Sequence, residues 1–326
     1  MAEMAAGGQD GAEAGGRRRR PVRRVLIGLL VLAVIAGVVV YLNRDRLISP
    51  AEGCTIKTQA GTGTLDLSQA ANAATIASVA ISRGLPERAV TIALATAMQE
   101  SKLHNIPGGD RDSVGLFQQR PSQGWGTVDQ IMDPVYATNK FLDSLVKVPG
   151  YARMPLTDAA QQVQRSGYPQ AYAKHEGNAT LVSSVLTGRE PAALNCVVDD
   201  LTVPSPSPSA TGTGQQPLDV GDRVRREFGK TVTAAPAAKA EKDPRTVLAL
   251  APQPSTSTDS GPDALRQSGW AVAQWSVAHA QQLGIGAVAY DGKVWRVERP
   301  SDGWKASATA PSTDRVLVTL GAPAKS

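Results

Sequence analysis

The chain has 326 residues, of which 42% are hydrophobic and 19% are charged. This apolar content is sufficient for a packed core, so disorder of the whole chain is excluded. Two cysteines and three histidines form no cluster with metal-ligand spacing, so we expect neither a metal site nor a cofactor. The net charge of +5 is concentrated at the N-terminus, where residues 1–24 hold six arginines against three acidic residues, so we expect no nucleic-acid binding.

Residues 25–42 form an uninterrupted and almost wholly apolar run. As a helix rising about 1.5 Å per residue, this run spans about 27 Å, which fits the ~30 Å hydrocarbon core of a bilayer. It predicts a transmembrane helix retained as a signal-anchor, and a cleaved signal peptide is the alternative. The arginines of the basic tail, 1–24, place that tail in the cytoplasm and residues 43–326 outside. The predicted location is the cell membrane, as a single-pass protein with the lipid bilayer as a partner of its one helix.

The only two cysteines, Cys54 and Cys196, lie in the segment predicted to be outside the membrane, where thiols oxidise. They most simply pair with each other and thereby bound a domain over 54–196; two free thiols are the alternative. A Pro/Ser-rich tract over 199–218 then predicts a linker.

Within 54–196 the pattern is predominantly helical. Ser68 is a candidate cap for a helix ending near Arg83, and the next helix is apolar on nearly every face over Ala89–Met98. This buried helix delivers Glu100 at its C-terminal end, where burial and the helix dipole both favour the protonated carboxyl group. Cleavage of a glycosidic bond requires such an acid to protonate the leaving oxygen, so Glu100 is the candidate catalytic residue.

A Gly- and Asp-rich loop, 107–112, follows and leads into Ser113–Gln119. Gln118 is expected to face the same cleft as Glu100. Asp110 or Asp112 offers the second carboxylate that a hydrolytic muramidase needs, although an aspartate between Gly and Arg in a polar loop is commonly a turn former.

These motifs resemble those of a known family. Glu100-Ser101 followed by Ser113 to Gln118 is similar to the paired signature of soluble lytic transglycosylases and related lysozyme-like muramidases, with Phe117 where Met is commoner. Asp133 to Leu142 resembles the helix lining the other side of that family's cleft. The resemblance covers roughly Ser68 to Glu176, and the segments 118–126 and 163–169 resemble lysozyme-like domains of actinobacterial cell-envelope proteins.

One family element departs from its pattern. In the Ala-Tyr-Asn-Ala-Gly segment of those enzymes, Tyr and Asn approach the catalytic acid, whereas the nearest counterpart here carries Val163-Gln164. Either Gln164 or Tyr168 takes over that role, or the site is weakened. The resemblance implies a set of substrate-binding residues, each with packing or capping as the alternative: Ser113, Gln118, Gln119, Trp125, Tyr136, Asn139, Gln164 and Tyr168.

Residues 219–320 predict a small C-terminal α/β domain. Its elements are a short charged helix over Asp219–Phe228, a longer helix over Ala264–Leu283, and apolar strands that include a hairpin turning at Asp291-Gly292. Trp270 and Trp275 are expected in its core, with a ligand platform as the alternative. The domain resembles small domains appended to other actinobacterial wall proteins, and cell-wall or division proteins are its candidate partners.

The predicted fold class is therefore α+β: a mainly α-helical lysozyme-like domain after a single transmembrane helix, plus the small α/β module. The resemblance implies a membrane-anchored lytic transglycosylase of peptidoglycan glycan strands. Glu100 would cleave the β-1,4 bond between N-acetylmuramic acid and N-acetylglucosamine and leave a 1,6-anhydro product. A non-catalytic glycan-binding or scaffold protein of the envelope is the alternative, whereas one span and no ligand cluster exclude a transporter or metal carrier.

Overall fold

The computed structural model describes residues 25–38, 51–201, 219–237, 245–253, 262–308, 310 and 313–321. The chain divides into two compact units, Met1–Pro50 and Ala51–Ser326. The predicted cytoplasmic tail, 1–24, lies outside the described residues, as does most of the predicted linker, 202–218.

The predicted transmembrane helix is wrong. In the first unit, the described residues 25–38 form helix α1, which corresponds to about 21 Å. Residues 39–42 of that run lie outside the described residues. No helix in the described part of the chain combines the length and the apolar character needed to cross a bilayer. The single-pass location in the cell membrane, which depended on this helix, is corrected with it.

The second unit begins with a group of helices that surrounds the candidate acid. They are α2 (Leu67–Ser82), α3 (Glu87–Ser101), α4 (Val128–Ile131), α5 (Pro134–Leu145), α6 (Leu156–Gln164) and α7 (Glu176–Leu186), with a 3₁₀ segment at Pro169–His175. Asp66 rather than Ser68 caps α2, because its carboxylate accepts from the backbone N–H of Gln69 in a capping box. Helix α3 is buried from Ala89 to Ala97, as its apolar sequence predicts.

A three-stranded antiparallel sheet closes this group of helices. Its strands are β1 (Gly53–Lys57), β2 (Thr62–Leu65) and β3 (Leu194–Val197), in the order β2-β1-β3. Cys54 lies opposite Cys196 in the register of β1 and β3, and the predicted disulfide between them is confirmed. The two ends of the 54–196 segment are therefore held together by backbone pairing as well as by a covalent bond.

The remaining elements form a six-stranded antiparallel sheet with its own helices. The helices are α8 (Val220–Phe228), α9 (Pro262–Ala278) and α10 (Ala280–Leu283), and the strands are β4 (Val232–Pro236), β5 (Val247–Pro252), β6 (Ile285–Tyr290), β7 (Lys293–Arg296), β8 (Lys305–Ala306) and β9 (Val316–Leu320). The strand order is β4-β5-β9-β6-β7-β8. The hairpin turn at Asp291-Gly292 is confirmed between β6 and β7, with φ of 48° and 68°.

The predicted fold class is also wrong. The described residues form a mixed α/β structure with ten helices and two antiparallel sheets. The segment 54–196 was predicted to be mainly helical, but it also carries a sheet. Its two ends pair with each other as β1 and β3, and each of these strands is too short to be predicted from its own sequence. Helix α9 packs on the six-stranded sheet and also against α2 and α7. At the α7 end, a Cβ added to Gly188 would lie 1.9 Å from the carbonyl oxygen of Gln267 on α9, so these helices approach closely.

Buried polar groups join α8 and α9 to α2. The side chain of Glu227 on α8 is fully buried and accepts hydrogen bonds from Thr75 Oγ1 (2.9 Å) and Ser78 Oγ (2.7 Å) on α2. From α9, Trp275 Nε1 donates to the same carboxylate at 2.6 Å. Trp270 and Trp275 are both buried in the core, as expected.

Candidate functional site

Glu100 lies at the C-terminal end of α3, on the wall of an open cleft. The cleft has a volume of about 1210 Å³ and is bounded by the end of α3, the loop from Asp110 to Trp125, the C-terminal part of α5 with the turn after it, and residues 162–168. Helix α3 ends there because Lys102 and Leu103 adopt left-handed conformations, with φ of 54° and 63°. The buried helix thus presents a half-buried carboxyl group to the cleft.

The side chain of Ser101 connects the end of α3 to the loop that contains Gly115 and Leu116. Its hydroxyl group is buried and donates to the carbonyl oxygen of Leu116 at 2.7 Å, so the end of α3 is tied to the loop that follows. Within that loop Gly115 has φ of 80°, and a Cβ there would lie 2.8 Å from the carbonyl oxygen of Ile131. The Glu-Ser pair and the Gly-containing loop are therefore one local structure.

Tyr172 is the protein group that contacts the candidate acid. Its hydroxyl group donates a hydrogen bond of 2.7 Å to Glu100 Oε1. The ring is fully buried, and this burial is the main reason why the pKa of Tyr172 is raised above its usual value. Tyr172 therefore remains a neutral donor near pH 7. Glu100 Oε2 has no hydrogen-bond partner among the described residues, which leaves it available to a ligand.

The sequence predicted Gln164 or Tyr168, and not Tyr172, as the residue beside the candidate acid. Gln164 instead donates from Nε2 to the carbonyl oxygen of Phe117 at 2.8 Å, and Tyr168 is 81% exposed at the rim of the cleft. Both line the cleft, but neither bonds to Glu100. Tyr172 lies in the 3₁₀ segment Pro169–His175, where no periodic pattern marks the direction of a side chain.

Ser113, Gln118 and Gln119 all line the cleft, but their polar groups are largely used within the protein. Ser113 Oγ donates to Gln118 Oε1 at 2.9 Å, and Gln118 Nε2 donates to the carbonyl oxygen of Gly115 at 3.0 Å. Gln119 Nε2 donates to the carbonyl oxygen of Ala137, whereas its buried Oε1 has no partner among the described residues. These side chains hold the loop in shape beside Glu100.

On the side formed by α5, only part of the predicted set reaches the cleft. Trp125 lines it, and its indole N–H has no hydrogen-bond partner in the described part of the chain. Tyr136 lies behind Trp125 and donates to its carbonyl oxygen at 3.1 Å. Asn139 Oδ1 accepts from Arg83 at 3.2 Å. Tyr136 and Asn139 are not among the lining residues, so they support the wall rather than form its surface.

The two loop aspartates have different surroundings. Asp110 lines the cleft, is largely exposed, and forms an ion pair with Arg120 at 3.0 Å. Asp112 does not line it; its carboxylate accepts from the backbone N–H of Ser122, and this hydrogen bond is the main reason why the pKa of Asp112 is lowered. Asp112 thus stabilises the turn. Of these two aspartates, only Asp110 lines the cleft and could serve as a second carboxylate there.

Comparison with known proteins gives one partial match. A family model described as VldE, C-terminal domain, is similar to residues 255–315, which include α9, α10, β6, β7 and β8. This match covers less than half of the chain and does not include the residues that line the cleft. No curated protein matches the chain.

Proposed function

We propose that the protein is a lytic transglycosylase that cleaves the β-1,4 bond between N-acetylmuramic acid and N-acetylglucosamine in peptidoglycan. One observation carries the proposal: Glu100 ends a buried helix at the wall of a large cleft, with one carboxyl oxygen held by Tyr172 and the other without a protein partner among the described residues. The resemblance of Glu100-Ser101 and Ser113–Gln118 to the signature of lytic transglycosylases supports the same reaction.

In the first step the protonated carboxyl group of Glu100 donates its proton to the glycosidic oxygen. The bond between that oxygen and the anomeric carbon of the muramoyl residue breaks, and the N-acetylglucosamine portion leaves with a hydroxyl group. Tyr172 holds Oε1 throughout, so the proton is best carried on Oε2, the oxygen without a described partner. Fixing the carboxyl plane in this way reduces the reorganisation needed at the transition state.

In the second step the carboxylate of Glu100 accepts the proton of the muramoyl 6-hydroxyl group. The 6-oxygen then bonds to the anomeric carbon and closes a 1,6-anhydro ring. Atoms balance without a water molecule, and a single carboxylate serves as acid and then as base. Trp125, with its free indole N–H at the cleft surface, and the exposed ring of Tyr168 are suited to packing against sugar rings.

A direct test is to incubate the protein with purified peptidoglycan and to measure the release of soluble fragments. We expect release by the unaltered chain and loss of at least about a hundredfold in the Glu100→Gln variant, because an amide cannot donate the proton. A Glu176→Gln variant is the matched control, since that carboxylate pairs with Arg88 away from the cleft. Equal release by the two variants, or none from several wall types with the unaltered chain, would contradict the proposal.

The second candidate function is a glycan-binding module without catalysis. The observation that favours it is that the amides of Gln118 and Gln164 are bonded to loop carbonyl groups, so Tyr172 is the only described side chain bonded to Glu100. This candidate predicts that the unaltered chain co-sediments with peptidoglycan, releases no fragments, and binds equally well as the Glu100→Gln variant.

A further inference from the structure

The side chains that line the cleft carry more positive than negative charge. Five cationic residues line it, together with three acidic ones, Glu100, Asp110 and Asp143. Two of these acids are already neutralised, because Asp110 pairs with Arg120 and Asp143 pairs at 2.9 Å with Arg83, which lies outside the lining. Glu100 is then the one lining acid without a cationic partner among the described residues.

Four of the five cations have no acidic partner in the described part of the chain: Arg111, Lys140, Lys147 and Arg165. Lys140 and Lys147 come from α5 and the turn after it, whereas Arg165 follows α6 and Arg111 belongs to the loop before Ser113. They therefore approach the cleft from different elements. Lys147, Arg111 and Arg165 are exposed, and the ammonium group of Lys140 lies 5.4 Å from the centre of the Tyr136 ring.

The backbone does not explain the choice of residue at two of these positions. Arg111 and Arg165 have φ of 58° and 50°, the left-handed region where glycine or asparagine is favoured over other residues. Arg165 ends α6 in the position where a glycine commonly stands. Both side chains are exposed where they line the cleft, so their charges are available to a ligand.

We propose that this basic rim, Arg111, Lys140, Lys147 and Arg165, binds anionic substituents of the glycan strand, so that the substrate is a strand bearing free carboxylate or phosphate groups. The inference rests on the proposed function, because it assigns a substrate class to the same cleft. Carboxylates would come from stem peptides attached to the muramoyl lactyl group, and phosphates from a polymer linked to the strand. Arginine and lysine side chains recognise both groups by charge-assisted hydrogen bonds.

The test measures binding rather than turnover, using the full chain with Glu100→Gln so that strands are not consumed. Four preparations of soluble glycan strands are compared: untreated, with carboxyl groups amidated by carbodiimide and ammonium, freed of phosphate by hydrofluoric acid, and given both treatments. We expect doubly treated strands to bind about tenfold more weakly than untreated strands at low salt, with a smaller difference at high salt. The singly treated preparation that loses affinity identifies carboxylate or phosphate as the source.

Paired substitutions assign the effect to the rim. Arg111→Asn with Arg165→Asn suits the left-handed backbone at both sites, so these changes remove charge without adding strain. The matched control is Lys57→Gln with Lys293→Gln, two exposed lysines outside the cleft lining. Because Lys140 and Lys147 remain, we expect the rim variant to lose about half of the difference between untreated and doubly treated strands, and the control to retain all of it.

Two outcomes overturn the inference: equal binding of untreated and doubly treated strands, or a rim variant that binds like the lysine control. Absence of binding to every preparation also overturns it. Failure of the proposed function is distinguishable, because the unaltered chain would then release no anhydro fragments even though charged strands bind to it through the rim.

Discussion

Tyr172 contacts the candidate acid Glu100 through one hydrogen bond. A hydroxyl group that is buried, neutral and 2.7 Å from one carboxyl oxygen fixes the orientation of the acid. Since no other described side chain bonds to Glu100, we expect the loss of this hydrogen bond to slow the proposed chemical step rather than to weaken binding of the proposed glycan substrate.

Tyr172→Phe removes the hydrogen bond and keeps the ring. A hydrogen bond to a charged group contributes about 1.5–3 kcal/mol, so kcat should fall by about tenfold to a hundredfold with KM little changed. The control is Tyr151→Phe, which removes a tyrosine hydroxyl group outside the cleft lining and should keep the original kcat. A Tyr172→Phe variant with the original kcat would show that Tyr172 does not position the acid.

The buried tyrosines also predict how stability depends on alkaline pH. Burial raises the pKa values of Tyr172 and Tyr290, so above about pH 10 the unfolded chain loses these protons while the folded chain retains them. The folded state then binds more protons, and the free energy of unfolding falls by up to about 1.4 kcal/mol per pH unit for each tyrosine. Urea unfolding between pH 9 and 11 measures this slope, which Tyr290→Phe should reduce. An unchanged slope would be inconsistent with burial as its cause.

Glu100 and the Ser113–Gln119 loop could be predicted from the sequence, because a carboxylate after an apolar helix and a Gly-containing loop leave local signals. Tyr172, the group that orients the acid, could not be predicted. Tyr172 reaches Glu100 from a 3₁₀ segment, Pro169–His175, and no short-range periodicity marks the direction of such a side chain.

At the scale of elements, α8 is attached to α2 and α9 through one buried carboxylate. Burial alone would raise the pKa of Glu227, but His279, Arg223 and the Trp275 hydrogen bond outweigh it and lower the pKa well below the usual range. The carboxylate is therefore ionised near neutral pH and satisfied on both oxygens. Such a cluster is stabilising only while it is complete.

Glu227→Gln should lower the free energy of unfolding by about 3–5 kcal/mol, because it leaves Arg223 and the buried donors without their charged partner. Asp222→Asn on the same helix is the control. Asp222 pairs with Arg225 at the surface, so its loss should cost less than about 1 kcal/mol. Urea denaturation of both variants measures the difference. Similar stabilities for the two variants would mean that the buried cluster does not hold α8 in place.

Elements with strong local periodicity were predictable, and those made by distant pairing were not. The apolar helix α3 and the Asp291-Gly292 hairpin follow from their own residues. The strands β1 and β3 form because the two ends of a long segment meet, and four- or five-residue strands such as these carry little pattern of their own. Of the apolar run at 25–42, the described residues 25–38 form a helix, and no helix in the described part of the chain is long and apolar enough to cross a membrane.

At the scale of the whole molecule, the Cys54–Cys196 disulfide closes a long loop, with a sequence separation of 142. In the chain-entropy description, a cross-link over such a loop stabilises the fold by about 5 kcal/mol. A reducing agent should therefore lower the urea midpoint of the native protein. A variant with Cys54→Ala and Cys196→Ala should have this lower midpoint already, and the reducing agent should not change it. No response in the native protein would mean that backbone pairing of β1 and β3 suffices.

In the proposed reaction, Glu100 transfers a proton and the muramoyl 6-hydroxyl group, not water, closes onto the anomeric carbon. The most direct measurement is the mass of muropeptides released from purified peptidoglycan in water labelled with heavy oxygen. We predict products one water lighter than hydrolytic fragments, without the label and absent with Glu100→Gln. Labelled reducing ends would instead show hydrolysis with water as nucleophile, and no products from the unaltered protein would contradict catalysis altogether.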